Sequence, residues 1–326
     1  CHDHKFDPYT MTDFYSMVAF FADIDESQHF TKGTNSLPTA RPPEIRALSK
    51  RERRQIELLE RQIAARQHLP TVDSTERQKE IDQLRRRADE TRRLARKSMI
   101  TVATQPRVIR VLPRGNWLDE SGPVVQPAVP AFLGKLPVGD RRATRADLAR
   151  WLTDVENGIG GLTARVFANR LWYLLFGVGI ARNLDDFGGQ GEPPKHPELL
   201  DNLAVEFYES GWKIKHMVKL IVMSRAYRQS SRSADPLRTR DPYNRLYARQ
   251  SRFRLPAEFI RDNALAISGF VVELRGGSSV KPYQPEGFYR HLNFPQLKYE
   301  SHQEHRQWRR GIYVHWQRHF LHPMLN

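Results

Sequence analysis

The chain has 326 residues, 39% hydrophobic and 10% aromatic, which is too apolar for a chain that stays solvated and long enough for about two domains. Lys and Arg number 52 against 37 Asp and Glu, a net charge of +15, so a polyanionic partner has to be weighed. A single Cys excludes an intrachain disulfide framework and any multi-Cys zinc site, and the longest apolar run, 171–181, is about half of what a membrane-spanning helix needs.

In chain order, the first pattern is a turn at Asp7 and Pro8, then a helix with Phe14, Met17, Phe20 and Phe21 on one side and Thr12, followed by Asp13, as its N-cap. Residues 27–43 read as an extended loop. From Glu44 to about His68, Ile45, Leu48, Ile56, Leu59 and Ile63 form one stripe, and after Leu69 and Pro70 the spacing of Asp73 and Glu76 is that of a capping box. Ile81, Leu84, Ala88, Thr91 and Ala95 then repeat at 3 and 4, the seam of a coiled coil, so a long antiparallel helical hairpin is expected over 44–98. Between 41 and 100 there are 17 basic and 10 acidic residues, interleaved at i and i+4, which favours a solvated, salt-bridged face over a polyanion track.

Short strands are expected within 101–112, followed by a Pro-rich linker over 113–139. Helices follow over 144–157, 163–176, 197–210, 214–228 and 256–268, with Gly177, Gly211 and Gly269 as stops. From Val271 onward the chain looks irregular. The fold class is therefore mainly α with minor β, the hairpin standing beside an α-helical domain. Both ends look cut, so the chain reads as a piece of a longer one.

Several groups are candidates for chemistry. Cys1 and His2 match the end of the C-x-x-C-H haem-attachment signature, in which the thiols form thioethers and the His ligates the iron; a free Cys beside a surface His, or a metal cluster of His2, Asp3, His4 and Asp7, are the other readings. Arg165, Asn169 and Arg170 share an otherwise apolar helix and call for partners among Asp185, Asp186 and Glu198, as structural pairs or as the lining of an anionic pocket. Glu258, Arg261 and Asp262 repeat that arrangement after Pro256. The triplet Asp186-Phe187-Gly188 stands without the Gly-rich and catalytic loops of a kinase and reads as a turn. Tyr283, Tyr289, Phe294, Tyr299, Trp308, Tyr313, Trp316 and Phe320, alternating with His291, His302, His305, His315 and His319, suit either a core edge or a stacking surface. No nucleophile-base-orienter set is evident.

The whole string CHDHKFDPYTMTDFYSMVAFF resembles the planctomycete cytochrome-c-associated multidomain proteins, whose paired domains have no established function. The resemblance continues through Arg114-Gly115-Asn116, Asn169-Arg170-Leu171-Trp172, Leu175-Phe176-Gly177, Asp185-Asp186-Phe187-Gly188, His196-Pro197-Glu198-Leu199-Leu200, Tyr227-Arg228-Gln229-Ser230-Ser231 and Lys281-Pro282-Tyr283-Gln284-Pro285, in the family's order. It implies that Cys1 is the second haem-attaching Cys and His2 the iron ligand, with haem c as cofactor of the complete parent; the first Cys of the motif is not in this chain. It also implies that 1–112 closes the first, cytochrome-c-associated domain and that 140–326 is a helical second domain, C-terminally incomplete.

The expectation is part of a secreted or periplasmic c-type-haem-associated protein. Electron transfer would be coupled to oxidation of an extracellular organic or carbohydrate substrate. The alternative is a non-enzymatic glycan- or protein-binding scaffold module. A redox partner or a carbohydrate-like ligand is the expected partner. Nucleic acid is not expected, because charge alone points to it and no helix-turn-helix, RNP or zinc-finger pattern accompanies the charge.

Overall fold

A computed structural model of the chain describes residues 3–27, 43–68, 74–232, 235–287 and 299–316. The elements are α1 (Met11–Ala19), β1 (Glu44–Ala47), α2 (Lys50–Gln67), α3 (Ser74–Leu94), β2 (Arg96–Met99), β3 (Ile109–Arg110), β4 (Val124–Val125), α4 (Arg145–Thr153), α5 (Gly160–Phe176), α6 (Pro197–Glu209), α7 (Ile214–Met223), α8 (Arg225–Arg228), α9 (Asp235–Arg240) and α10 (Ala257–Ile267). The chain is thus mainly α with minor β, at 47% helix and 6% strand among the described residues, as its periodicity leads one to expect. Its contacts divide into two compact units, Cys1–Ile24 with Thr104–Arg254, and Asp25–Ala103 with Leu255–Asn326.

In the first unit, α5 presents Ala164, Ala168, Trp172 and Phe176 four residues apart on one face. The two alanines leave room for α6, which brings Leu200, Leu203, Ala204 and Phe207, and α7 adds Met217 and Ile221 to the same core. Trp172 stacks on Phe176 with ring centroids 4.1 Å apart. The helix stops at Gly177, whose φ of 77° is the left-handed conformation that Gly adopts without a Cβ clash; a Cβ there would also meet the Phe253 ring at 2.6 Å. A smaller core joins Phe20, Val129, Ala143, Leu148 and Trp151, with Leu133, Leu136 and Val138 against it. The Pro-rich stretch read as a linker therefore packs inside this unit, where the Ala131 N–H donates to Asp13 at 3.0 Å. β3 and β4 pair antiparallel, Ile109 opposite Val125.

Several boundaries differ from the sequence reading: α4 stops at Thr153 rather than 157, and α5 starts at Gly160 rather than 163. The cap of α1 is Thr10, which exchanges hydrogen bonds with Asp13, because Thr10 rather than Thr12 has the extended backbone a cap requires. The helix expected over 214–228 breaks at Ser224, whose backbone is extended and whose hydroxyl accepts from the Tyr227 N–H, so α8 starts afresh.

In the second unit, α2 and α3 form the antiparallel hairpin. Leu59, Leu84 and Ala88 are buried along the seam, with Ile63 beside them. Here too the start moves: Glu44–Ala47 is strand, not helix, paired antiparallel with Arg96–Met99, and Ser49 with Glu52 supplies the capping box that begins α2. Ile45, placed on the helical stripe by its spacing, is half exposed on that strand. The Asp73 cap expected for α3 lies outside the described residues. The rest of the unit carries α10 and two isolated bridges, Val272 with Arg309 and Val280 with Val314.

Candidate functional site

The described candidates fall in one unit or the other. Cys1 and His2 lie outside the described residues. The segment behind them is tied up in its own hydrogen bonds: the His4 N–H donates to the Tyr9 carbonyl at 2.8 Å, the Asp7 N–H to His4 Nδ1 at 3.0 Å and the Met11 N–H to Asp3 Oδ1 at 2.7 Å. Asp7 also accepts from the Gly189 N–H at 3.3 Å, and a Cβ on Gly188 would come within 2.8 Å of Asp7 Oδ1. Gly188 is therefore the residue that lets the segment after the Cys-His pair seat on the 186–189 turn. Asp186 shapes that turn by accepting from the Gly188 N–H at 2.9 Å.

On α5, Arg165 Nε lies 2.7 Å from Asp201, a partner from α6 that the sequence did not suggest, and Arg170 reaches Asp185 at 3.2 Å on the surface. Asn169 is fully buried and both ends of its amide are used on Ala181, donating to the carbonyl at 2.8 Å and accepting from the N–H at 2.9 Å. It fixes the chain where it leaves α5.

On α10, Arg261 is buried and donates to the carbonyls of Arg309 and Gln307 at 2.7 and 2.8 Å, while Asp262 accepts from the Gly311 N–H at 2.6 Å. Burial pushes the Arg261 guanidinium below its ordinary value, with Asp262 opposing. Glu258 packs where a Cβ on Gly311 would meet its own at 3.0 Å. Arg309, also buried, donates to the carbonyls of Ser278 and Leu274, each at 2.9 Å, and lies over the Tyr313 ring at 4.0 Å. This cluster stitches the C-terminal segment onto α10. Of the aromatic-histidine series, Tyr289, Phe294, Phe320, His291 and His319 lie outside the described residues. The Tyr299 hydroxyl donates to the Pro282 carbonyl at 2.6 Å, and burial, then Lys281, lower the pKa of His315.

A concave site in the first unit was not singled out in the sequence. Two adjoining pockets, of about 610 and 210 Å³, share Val178 and Tyr243. The larger is lined by Phe176, Phe253, Arg238, Arg249 and Arg252 among others, and the smaller by Arg182, Glu192, Lys195, Arg245 and Tyr247. Their common wall is the loop 241–253, built on two buried polar residues. Asp241 accepts from the N–H groups of Arg245 and Leu246, each at 2.8 Å. Asn244 donates to the Arg249 carbonyl at 2.7 Å and accepts from its N–H at 3.3 Å. Gln229 and Gln250 fasten the loop to its neighbours through the carbonyls of Tyr247 and Tyr227, at 2.6 and 3.0 Å.

Asn244 and Tyr247 hold φ values of 52° and 51°, unusual for Asn and a genuine outlier for Tyr, and such conformations persist only where surrounding contacts impose them. Tyr247 packs against Trp172 and Phe176 at 5.0 and 5.5 Å between centroids, and burial pushes its phenol up to about 12. The signal that could have found this site is local charge: between 236 and 257 six arginines share a single acid, Asp241, beside the turn formers of Asp-Pro-Tyr-Asn.

The profile of a family described as PSD1, protein of unknown function (DUF1553), matches residues 144–326. No curated protein and no solved structure matches the chain. The matched segment begins one residue before α4, holds the whole cleft and covers more than half of the chain, so the chain belongs to the DUF1553 family.

Proposed function

We propose that the chain is part of a secreted or periplasmic c-type-haem-associated protein, and that the cleft of the first unit receives an extracellular organic, carbohydrate-like substrate whose oxidation is coupled to electron transfer. One observation carries the reading. The 186–195 loop receives the segment behind Cys1 and His2 at one end, through Asp7, and forms part of the cleft wall at the other, through Glu192, Pro193 and Lys195. The donor chemistry fits the group: Cys1 has the thiol that forms a thioether, and His2 has the imidazole that ligates iron. Haem held there would supply one-electron transfer. The described residues bind and orient: Arg182, Lys195, Arg238, Arg249 and Arg252 meet anionic or hydroxyl groups, and Tyr243 offers a ring face.

A non-enzymatic binding module is the second reading, favoured by the lining itself. Its one carboxylate, Glu192, is bound by both terminal nitrogens of Arg245, at 2.7 and 3.1 Å, and is not placed to act as a base.

The complete parent, expressed with a c-type cytochrome maturation system, separates the two. Covalent haem by a haemochrome spectrum, together with reduction of that haem by a member of a panel of sugars, alcohols and amines, supports the first reading. A colourless parent with a free Cys1 thiol rejects it and leaves the binding module. In the haem-bearing parent, Gly188→Ala should shift the haem spectrum or potential relative to wild type, because it displaces Asp7 from its seat.

A further inference from the structure

We propose that the ligand of this cleft is a sugar bearing an oxyanion, a sulfate ester or a carboxylate, held by the arginines of the 238–252 segment. The inference deepens the cleft part of the preceding reading and does not depend on haem. The two pockets present six cations, Arg182, Lys195, Arg238, Arg245, Arg249 and Arg252, against Glu192, and Arg245 neutralises that carboxylate. Among the described residues Arg182, Lys195 and Arg252 form no salt bridge. Like charges gathered around a concave surface repel one another, and an anion of two or three oxygens relieves that repulsion.

Arg249 gives the second, independent sign. Its Nη2 donates to the carbonyls of Asp241 and Pro242 at 2.9 and 3.0 Å, which fixes the plane of the guanidinium. Its Nη1 is buried without a hydrogen-bond partner among the described residues. A buried donor left unmade is costly, more so when charged, and a planar guanidinium with one edge anchored is shaped for an oxyanion on the other. The positive φ values of Asn244 and Tyr247 fix the backbone on either side of Arg245.

The remaining lining is aromatic. Tyr243 is 72% exposed and belongs to both pockets, so it offers an open ring face between them, with Phe253 in the larger. Volumes of about 610 and 210 Å³ suit one or two rings with their substituents.

The test titrates the full chain with glucose 6-sulfate, glucuronate and glucose by calorimetry, with inorganic sulfate as competitor. Binding of either charged sugar at least tenfold tighter than glucose, and its displacement by sulfate, is expected, and the stronger of the two identifies the oxyanion. Arg249→Gln should weaken it more than tenfold, and Arg252→Ala and Lys195→Ala three- to tenfold each. Lys215→Ala, exposed on α7 and outside the cleft, should leave it unchanged. Arg252 is exposed, so its variant keeps the test open even if Arg249→Gln misfolds. Glucose binding as tightly as the charged sugars would overturn the proposal. So would a loss in Lys215→Ala equal to that in Arg252→Ala, or a single-stranded deoxythymidine oligonucleotide binding tighter than either charged sugar. A colourless parent protein would reject the haem reading and leave this result standing.

Discussion

On the hairpin, Arg66 and Arg92 meet Glu80 and Glu60 across the two helices at 2.8 and 2.5 Å, whereas between 236 and 257 six arginines stand with one acid, Asp241, and Asp241 is occupied by backbone N–H groups. Both regions are rich in the same side chain, and the placement of carboxylates gives them different chemistry. Interleaved acids give Arg66, Arg85 and Arg92 carboxylate partners on the hairpin's own surface, and the stability comes from the seam of Leu59, Leu84 and Ala88. Where acids are withheld, buried Asp241 and Asn244 hold the loop's backbone, and Arg249 and Arg252 line the cleft. Net charge alone treats the two as equal.

The largest effect is expected at the loop. Asn244→Ala removes the side chain that pairs with both backbone groups of Arg249 and takes those two hydrogen bonds away, at a cost of about 2–4 kcal/mol. Urea denaturation should show a lower midpoint, and binding of glucose 6-sulfate should fall more than tenfold. Asn244→Gly relieves the positive φ yet restores neither hydrogen bond, so its binding should stay lost. Recovery of binding in the Gly variant would mean that backbone freedom, not the hydrogen bonds, shapes the wall.

Leu84→Ala tests the other side of the comparison. It opens a hole beside Leu59 and Ile63 and should cost about 2–3 kcal/mol, visible as loss of helical circular dichroism at lower urea. Affinity for the charged sugar should stay within twofold of wild type. A parallel loss of affinity would join the two regions energetically and break the comparison.

Asp147 stands between these limits, since two arginines converge on one carboxylate: Arg141 at 2.7 and 2.8 Å through both terminal nitrogens and Arg150 at 2.9 Å. Arg141 first, then the Thr144 hydroxyl and N–H, hold the Asp147 carboxyl well below its ordinary value of 3.8. A carboxyl depressed on folding contributes stability that is complete above the unfolded value and is lost as pH falls toward the folded one. Stability should therefore be insensitive to Asp147 from pH 7 to about 5 and drop below about pH 4. The drop should be shallower in Asp147→Asn, as read from urea midpoints across that range.

The comparison also shows what the sequence makes legible. Period and caps located the hairpin, α4 with its Thr144 and Asp147 box, and the stop at Gly177, because each depends on neighbours three or four residues away. The strand at Glu44–Ala47 was missed because its partner is Arg96–Met99, some fifty residues on, and Ile45 fits a helical stripe as well as a strand. The charged clusters on α5 and α10 were visible, but their partners were not: Arg165 meets Asp201, and Arg261 is satisfied by backbone carbonyls of Gln307 and Arg309, which no side-chain pattern reveals. The cleft was hidden for the same reason. Val178, Glu192 and Arg249 are far apart in sequence, and only the arginine excess of 236–257 hinted at it.

The smallest effect is expected at the hairpin's own charges. Arg92 is 43% and Glu60 54% exposed, so water screens their attraction and both long side chains give up rotamer freedom to hold the pair. A double-mutant cycle of Arg92→Ala and Glu60→Ala should return a coupling of about 0.2–1 kcal/mol, smaller still at high salt. Arg92 also contacts Asp89 at 2.8 Å, so Arg92→Ala alone should cost slightly more than Glu60→Ala alone. Replacing Arg51, Arg54 and Arg61 together should change the affinity of the chain for heparin less than threefold, because Glu52, Glu57 and Glu60 interrupt any continuous basic track. Removing the same number of charges at Arg182, Arg249 and Arg252 should change it more, since among the described lining residues Glu192 is the single carboxylate. Affinity at near-physiological salt that falls more with the hairpin variant than with the cleft variant would invert the comparison and make the hairpin the polyanion surface.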